Sequence, residues 1–454
     1  MLSKIRKKIG SVGLMLCCLA VLAVPMMVHA QSAAPAPAPA AAAPAPAAPA
    51  APAISSGDTA WLLTSSALVL LMTPGLAFFY GGMVRKKNVM ATIMQSFFII
   101  CLISVQWVVF GYSWAFGDGT PWWGGFAWFM LNNMPVVSPL APTIPHYAYM
   151  IFQCMFAVIT PALICGGYAE RVGFKGFVVF SLLWATFIYD PVAHWVWSPN
   201  GYFAHLGALD FAGGTVVHMT SGYSALALAL LLGKRKGYGK DPMVAHNLPF
   251  VLLGASLLWF GWFGFNAGSA CAANTLSCNA FVTTNTATAM AAISWAVIEL
   301  IHKGKATTLG AASGAVAGLV AITPACGWVD LVGSIWIGAL VSLFCYIAIL
   351  VKIKLGYDDS LDTFGVHGIG GTFGAIATGL WAVKSVNGVD GYFAGNHPQL
   401  WIQCQTILAV GIFSFVGTVI LYFLVEKTIG FKVTAKEEEE GLDMSQHGEE
   451  GYIM

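Results

Sequence analysis

Charge is scarce in this chain of 454 residues: Asp, Glu, Lys and Arg make up 9% of it, against about 25% in an ordinary soluble protein. So few charges cannot cover the apolar surface of a chain that is 58% hydrophobic, and a soluble enzyme is excluded. The formal net charge is +1. No basic patch is large enough to neutralise a run of phosphates, which excludes nucleic-acid binding. Metal-ligand spacing of the His-Glu-x-x-His kind is also absent, so neither a metal nor a cofactor is expected. What is present is 50 Gly, 29 Phe and 16 Trp, with a mean hydropathy of +0.75. The class is an all-α polytopic membrane protein.

Residues 1–30 read as a signal peptide. Lys4, Arg6, Lys7 and Lys8 give a basic start, 9–25 an apolar stretch ending at Pro25, and Val28-His29-Ala30 a cleavage site before Gln31. Residues 31–57 form an Ala/Pro-rich linker. Proline every second or third residue forbids a regular helix, so the linker is expected to be disordered and outside the membrane. A membrane domain over 58–427 and a tail over 428–454 complete the chain.

Eleven apolar stretches are expected to be transmembrane helices: 59–83, 88–116, 146–169, 174–197, 213–233, 246–267, 280–301, 307–323, 330–352, 365–383 and 400–426. Sixteen Lys and Arg residues follow the odd-numbered stretches; one, Lys384, follows an even one. That asymmetry puts the N-terminus outside and the C-terminus in the cytoplasm. Segments 1–5 and 6–10 then read as two copies inverted in the membrane. The hint is a His near the start of each fifth helix, His218 after Gly213-Gly214-Thr215-Val216-Val217 and His367 after Phe364-Gly365-Val366. The eleventh helix has no repeat partner and is expected to wrap the outside.

Ionisable groups inside a bilayer are expensive and usually functional. His218 and His367 are the deepest; each is either a packing residue bonded to a neighbouring helix or half of a shared pore. Two imidazoles that share an N–H can pass protons, and they resist double protonation because like charges repel. Asp210 reads as an N-cap for segment 5 and, compatibly, as a fixed negative charge at the outer mouth. Asp190, Glu170 and Glu299 lie near span ends, where pairing or solvation is expected. Trp197, Trp262 and Phe265, with Asn266 and Ser269 nearby, are candidates for holding a small cation on an aromatic face beside a hydroxyl. Cys271 and Cys278 share an outer loop, where a disulfide and two free thiols both remain open.

From about residue 58 onward the sequence resembles the ammonium transporter (Amt) branch of the Amt/Rh/MEP family, bacterial type. The resemblance rests on Thr73-Pro74-Gly75 with Phe79-Tyr80-Gly81-Gly82, on Ala169-Glu170-Arg171, and on Pro191 to Trp197. It rests further on Gly207 to His218, on Gly261 to Ser269, and on Asp362 to Gly368. It implies a homotrimer with one narrow pore per subunit, carrying ammonium or ammonia, with methylammonium as an analogue. By motif, Trp197 and Ser269 match the outer ammonium site with Phe156 behind them and Asp210 in support. Phe156 and Phe265 match two stacked rings that block the pore below it. His218 and His367 match paired pore histidines flanked by Trp262, and Thr323 matches a pore-adjacent threonine. The acidic tail, Glu437 to Glu440 and onward, implies a segment that docks on its own trimer and meets a PII-type regulatory protein at the inner membrane. An ammonium sensor signalling through the tail and an Rh-like gas channel are the competing readings.

Overall fold

The computed structural model describes residues 53–452; the signal peptide and nearly all of the linker lie outside them. Among the described residues nine helices are long and apolar enough to cross a membrane. They are α1 Ser56–Met83, α2 Lys86–Phe116, α3 His146–Tyr168, α4 Phe174–Leu206, α5 Gly214–Leu232, α6 Leu248–Gly268, α7 Thr275–Lys303, α9 Leu331–Leu355 and α11 His397–Thr428. Two shorter elements complete the set. Helix α8 is Thr308–Ile322, and α10 opens as a π-helical turn, Phe364–Gly368, that continues as Ile369–Trp381. Each falls on one of the apolar stretches expected above.

The boundaries differ from expectation where capping chemistry overrides hydropathy. The first helix starts inside the expected linker because Ser55 accepts the Asp58 N–H. Helix α7 starts before the expected 280 because Asn274 and Ser277 form a capping box. The fourth helix runs past Trp197, with a break there, to Leu206. Cys271 and Cys278 are free thiols, the latter in the first turn of α7.

Helices α1 and α6 cross backbone to backbone. A Cβ on Gly261 would lie 2.6 Å from the Leu68 carbonyl, and one on Gly254 2.6 Å from the Gly75 carbonyl. Only glycine permits this approach. Helix α3 is buried along almost its whole length, with α1, α2 and α5 around it. Helix α11 packs on α4, α5 and α10, while Trp401, Leu408, Ile412, Val416 and Ile420 stay exposed along its other side. It lies on the periphery, as expected.

The Lys/Arg-rich face is tied together by ion pairs. Glu170, whose φ is +71°, receives the Arg85 backbone N–H at 2.7 Å and its Nε at 2.6 Å. Arg235 forks onto Asp358 through Nε and Nη2, both at 2.9 Å. Burial pushes the Asp358 carboxyl up, but the bonds from Arg235 outweigh it and hold the group below the ordinary carboxylate range. The acidic run is not a solvated tail. Thr434 and Glu437 form a capping box that starts a short helix, Ala435–Glu440, with Glu438 buried. Beyond it, Leu442 N–H bonds Asn88 Oδ1 and Asp443 Oδ1 takes the Ala91 N–H, both at 2.8 Å.

Glu170 and Glu299 are paired or hydrogen-bonded, as expected. Asp190 is not at a span end. It follows the π-helical turn Ala185–Tyr189 inside α4, is fully buried, and accepts the Gln106 amide at 2.7 Å.

Candidate functional site

Five helices bring their candidate side chains into one column. Phe156 of α3 meets Trp197 of α4 edge to face, centroids 5.6 Å apart. Below it Phe265 of α6 lies against Phe156 at 4.3 Å, with ring planes 36° apart. His218 of α5 follows Phe265 at 6.0 Å and stacks on Trp262 at 5.2 Å. His367 of α10 follows His218, with Nδ1 to Nδ1 at 3.2 Å. Ser269 is one helical turn outward of Phe265 and donates its hydroxyl to the Phe265 carbonyl at 2.8 Å. Both Ser269 and Trp197 are half-buried, while the two Phe rings and both His are buried.

The histidines sit where they do because of how α5 and α10 begin. Each opens with a π-helical turn, Gly214–Met219 and Phe364–Gly368, and each turn carries its His. Such turns widen the helix and are frequent at functional sites. Asp210 caps the first: its carboxylate accepts the N–H groups of Gly213, Gly214, Thr215 and Val216 at 2.8, 2.6, 2.8 and 3.2 Å, and the Thr215 hydroxyl. The N-cap expectation is met. The Asp210 carbonyl, rather than its carboxylate, accepts the Trp197 indole N–H at 2.9 Å. Asp359 plays the same part for α10, taking the N–H of Thr363 at 3.1 Å and of Phe364 at 2.8 Å. Both aspartates stand eight residues before their His. Sequence reasoning missed Asp359, and that repeated spacing is the signal that could have found it.

Trp262 is fixed in turn: its indole N–H donates to Thr323 Oγ1 at 2.8 Å, and that hydroxyl donates to the Leu319 carbonyl at 2.7 Å. Thr323 therefore acts on the column through Trp262.

Two voids continue the column. The first, about 10 Å³, lies among Phe265, His218, His367, Trp262 and aliphatic side chains of α1, α3 and α6. That is at the lower edge of what a single water needs, roughly 10–15 Å³. The second, about 40 Å³, lies beyond His367 and reaches Tyr80, Ser313 and Asp362. His218 Nε2 is buried and meets no protein partner among the described residues. A neutral imidazole has one N–H. The pair can therefore share one proton between the Nδ1 atoms, leaving one Nε2 as acceptor and the other as donor.

Residues 60–452 match the model of the Ammonium Transporter Family. The chain belongs to the ammonium transporter family. It is 49% identical over 401 residues to an ammonium transporter of Bacillus subtilis, covering 87% of this chain and 98% of that protein. Among solved structures it resembles Mep2 of Saccharomyces cerevisiae, with a TM-score of 0.80, 34% identity, and coverage of 84% and 88% of the two chains. It also resembles a protein described as a sensor Amt protein, with a TM-score of 0.81, 27% identity, and coverage of 86% and 98%.

Proposed function

We propose that this chain carries ammonium across a cell membrane, taking the ion at Trp197 and Ser269, passing ammonia along His218 and His367, and letting the proton it sheds follow along the paired imidazoles. The observation that carries this reading is the single-file column: Trp197, Phe156, Phe265, His218 and His367 in sequence, with a void of about 10 Å³ beside the paired histidines and one of about 40 Å³ beyond His367.

Ammonium and potassium are alike in size and charge, so width alone cannot separate them. Ammonium differs in having directed N–H donors and a proton to lose. The Trp197 face and the Ser269 hydroxyl suit a partly hydrated cation, with cation–π attraction worth about 0.5–2 kcal/mol. Phe156 and Phe265 then close the path to a hydrated ion. A bare cation in so dry a space costs on the order of tens of kcal/mol before relaxation. Ammonia enters as a neutral molecule, and the outward-facing His nitrogens offer it one acceptor and one donor. Potassium has no neutral form and stops.

The finer architecture belongs to the same proposal. Eleven helices span the bilayer, N-terminus outside and C-terminus in the cytoplasm, as the Lys/Arg asymmetry supports. Helices α1–α5 and α6–α10 form an inverted repeat, supported by the matched π turns, Asp210 with Asp359, and His218 with His367. The assembly is a homotrimer in the inner membrane, and the docked tail meets a PII-type regulatory protein from the cytoplasm.

Current recorded from proteoliposomes on addition of ammonium, methylammonium or potassium tests the reading. Expected is an ammonium- and methylammonium-dependent flux with none for potassium. Potassium flux comparable to that of ammonium would overturn it. Ammonium flux without current would favour the gas-channel reading. The sensor reading is favoured by the likeness to the sensor Amt protein; a partner response that needs the tail, with no flux, would replace transport by sensing.

A further inference from the structure

One amide on the outermost helix closes a hydrogen-bond circuit onto the outer mouth. Gln403 of α11 is 1% exposed. Its Oε1 accepts the Leu209 N–H at 2.7 Å, and its Nε2 donates to the Leu209 carbonyl at 2.8 Å and to Ala375 of α10 at 3.1 Å. The amide thus pairs with one backbone residue as a neighbouring β-strand would, through two opposed bonds. One turn earlier, Gln399 donates to the Gly207 carbonyl at 2.9 Å. Helix α10 leaves room for this arrangement: a Cβ on Gly379 would lie 2.9 Å from Gln403 Cγ.

The loop so held precedes α5. Leu209 is followed by Asp210, whose carbonyl takes the Trp197 indole N–H and whose carboxylate caps the π turn carrying His218. The indole N–H is the one polar handle of Trp197, so whatever fixes the Asp210 carbonyl fixes the plane of the ring. The far edge of that ring is also confined, since a Cβ on Gly213 would lie 3.3 Å from Trp197 Cη2. A buried glutamine on a membrane helix is costly unless its bonds are made. Here all of them are made, and two go to one loop residue; leucine in its place would leave the buried Leu209 N–H without a partner, so what Gln403 contributes is the geometry of the loop.

We propose that Gln403 is a positioning residue for the outer cation site: it locks the Leu209–Asp210 peptide so that the Asp210 carbonyl holds the Trp197 ring over the mouth. The proposal rests on the reading of Trp197 as the ammonium-binding face. Gln403 touches neither Phe ring nor either His, so it sets capture and leaves maximal flux and potassium exclusion to the column below.

The test is the concentration dependence of ammonium current in proteoliposomes for full-length Gln403→Leu, Gln399→Leu, Trp197→Leu and the double variant Trp197→Leu/Gln403→Leu. Thr418→Val is the control, because it breaks an equally buried bond of α11, to Ser224 and Trp184, away from the loop. Gln403→Leu is expected to raise half-saturation about two- to fivefold, and no further than Trp197→Leu does, with maximal current and potassium exclusion kept. Gln399→Leu is expected to shift it in the same direction by about two- to threefold, as a single neutral hydrogen bond does. The double variant should match Trp197→Leu alone, because both substitutions spoil one site. Additive shifts, or an equal shift in Thr418→Val, would reduce Gln403 to a packing role and overturn the proposal. So would unchanged half-saturation in Gln403→Leu where Trp197→Leu raises it. Unchanged half-saturation in Trp197→Leu would instead remove the outer-site reading itself. If Gln403→Leu does not assemble, Gln399→Leu and Gln403→Glu carry the test. The Glu variant keeps the acceptor for Leu209 N–H and should fall between parent and Trp197→Leu; parental half-saturation in both overturns the proposal.

Discussion

His218 and His367 face each other through the same atom, Nδ1 to Nδ1 at 3.2 Å. One of the two nitrogens must donate and the other accept, so the pair holds a single proton in its shared bond. Replacing both by alanine removes that bond and the two free ring nitrogens. His218→Ala/His367→Ala is expected to change selectivity or abolish uptake of ammonium and methylammonium while the protein still assembles. Parental flux with parental rejection of potassium would end the paired-His account.

On the proposed reading, Trp197 contributes to capture, ahead of the rings that close the path. Trp197→Leu is expected to weaken uptake at low ammonium more than it lowers maximal flux. The loss of a partly exposed cation–π contact corresponds to about a two- to tenfold rise in half-saturation. Uptake measured over a range of methylammonium concentrations checks this, and equal affinity in parent and variant would count against the cation–π site.

Asp210 satisfies four backbone N–H groups and one hydroxyl at the start of α5. Asp210→Ala leaves them buried and unpaired, at a cost of about 2 kcal/mol or more. The detergent-solubilised variant should unfold at a lower temperature than the parent. Asp118→Ala, at an exposed loop position, should not. A thermal midpoint for Asp210→Ala equal to that of Asp118→Ala would mean the carboxylate is not the cap.

Asp359 lies outside the spanning helices, and burial pushes its carboxyl up to about 6, against the pull of Lys352. The ordinary value is 3.8. The folded state therefore binds this proton more tightly than the unfolded state, and stability falls as pH rises from about 4 to 6. Asp359→Asn removes that slope. Its stability relative to the parent should be greater at pH 8 than at pH 5 in thermal melts. A difference that does not change with pH would show that the carboxyl is ionised throughout.

Asn88 Oδ1 and the Ala91 N–H hold the tail at Leu442 and Asp443, beside the bonds of Lys87 to the Glu438 carbonyl and of the Phe174 N–H to Gln446. Asn88→Ala frees the Leu442 N–H. Hydrogen exchange over residues 441–447 should quicken without change in α1. Parental exchange rates there would place the holding contacts elsewhere.

Much of the fold was legible because hydropathy marks helices and because small residues mark close packing. Pro191 to Trp197 and Asp362 to Gly368 carried the site through their motifs. Asp359 was hidden among Asp358, Ser360 and Asp362: of the three carboxylates, only the eight-residue spacing to His367, repeated in Asp210 and His218, sets it apart. The π turns leave no signature in composition, since they reflect how a helix is anchored at its start. Gln403 is an amide in a long apolar helix, and its partner lies 194 residues earlier. Docking of the acidic tail was legible only through the resemblance: its local composition describes a solvated segment, while its partner Asn88 is 354 residues away.

The glycine crossing of α1 and α6 bears on how the pore can open. A Cβ on Gly261 would lie 2.6 Å from the Leu68 carbonyl, so sliding or rocking the two helices against each other would have to break this close packing. Transporters built from inverted repeats commonly expose their sites in alternation by moving one repeat against the other. Here the first helices of the two proposed repeats pack backbone to backbone, which resists that route. On the proposed path, passage would then fall to rings turning in place, Phe156 and Phe265 foremost, within a scaffold that moves little.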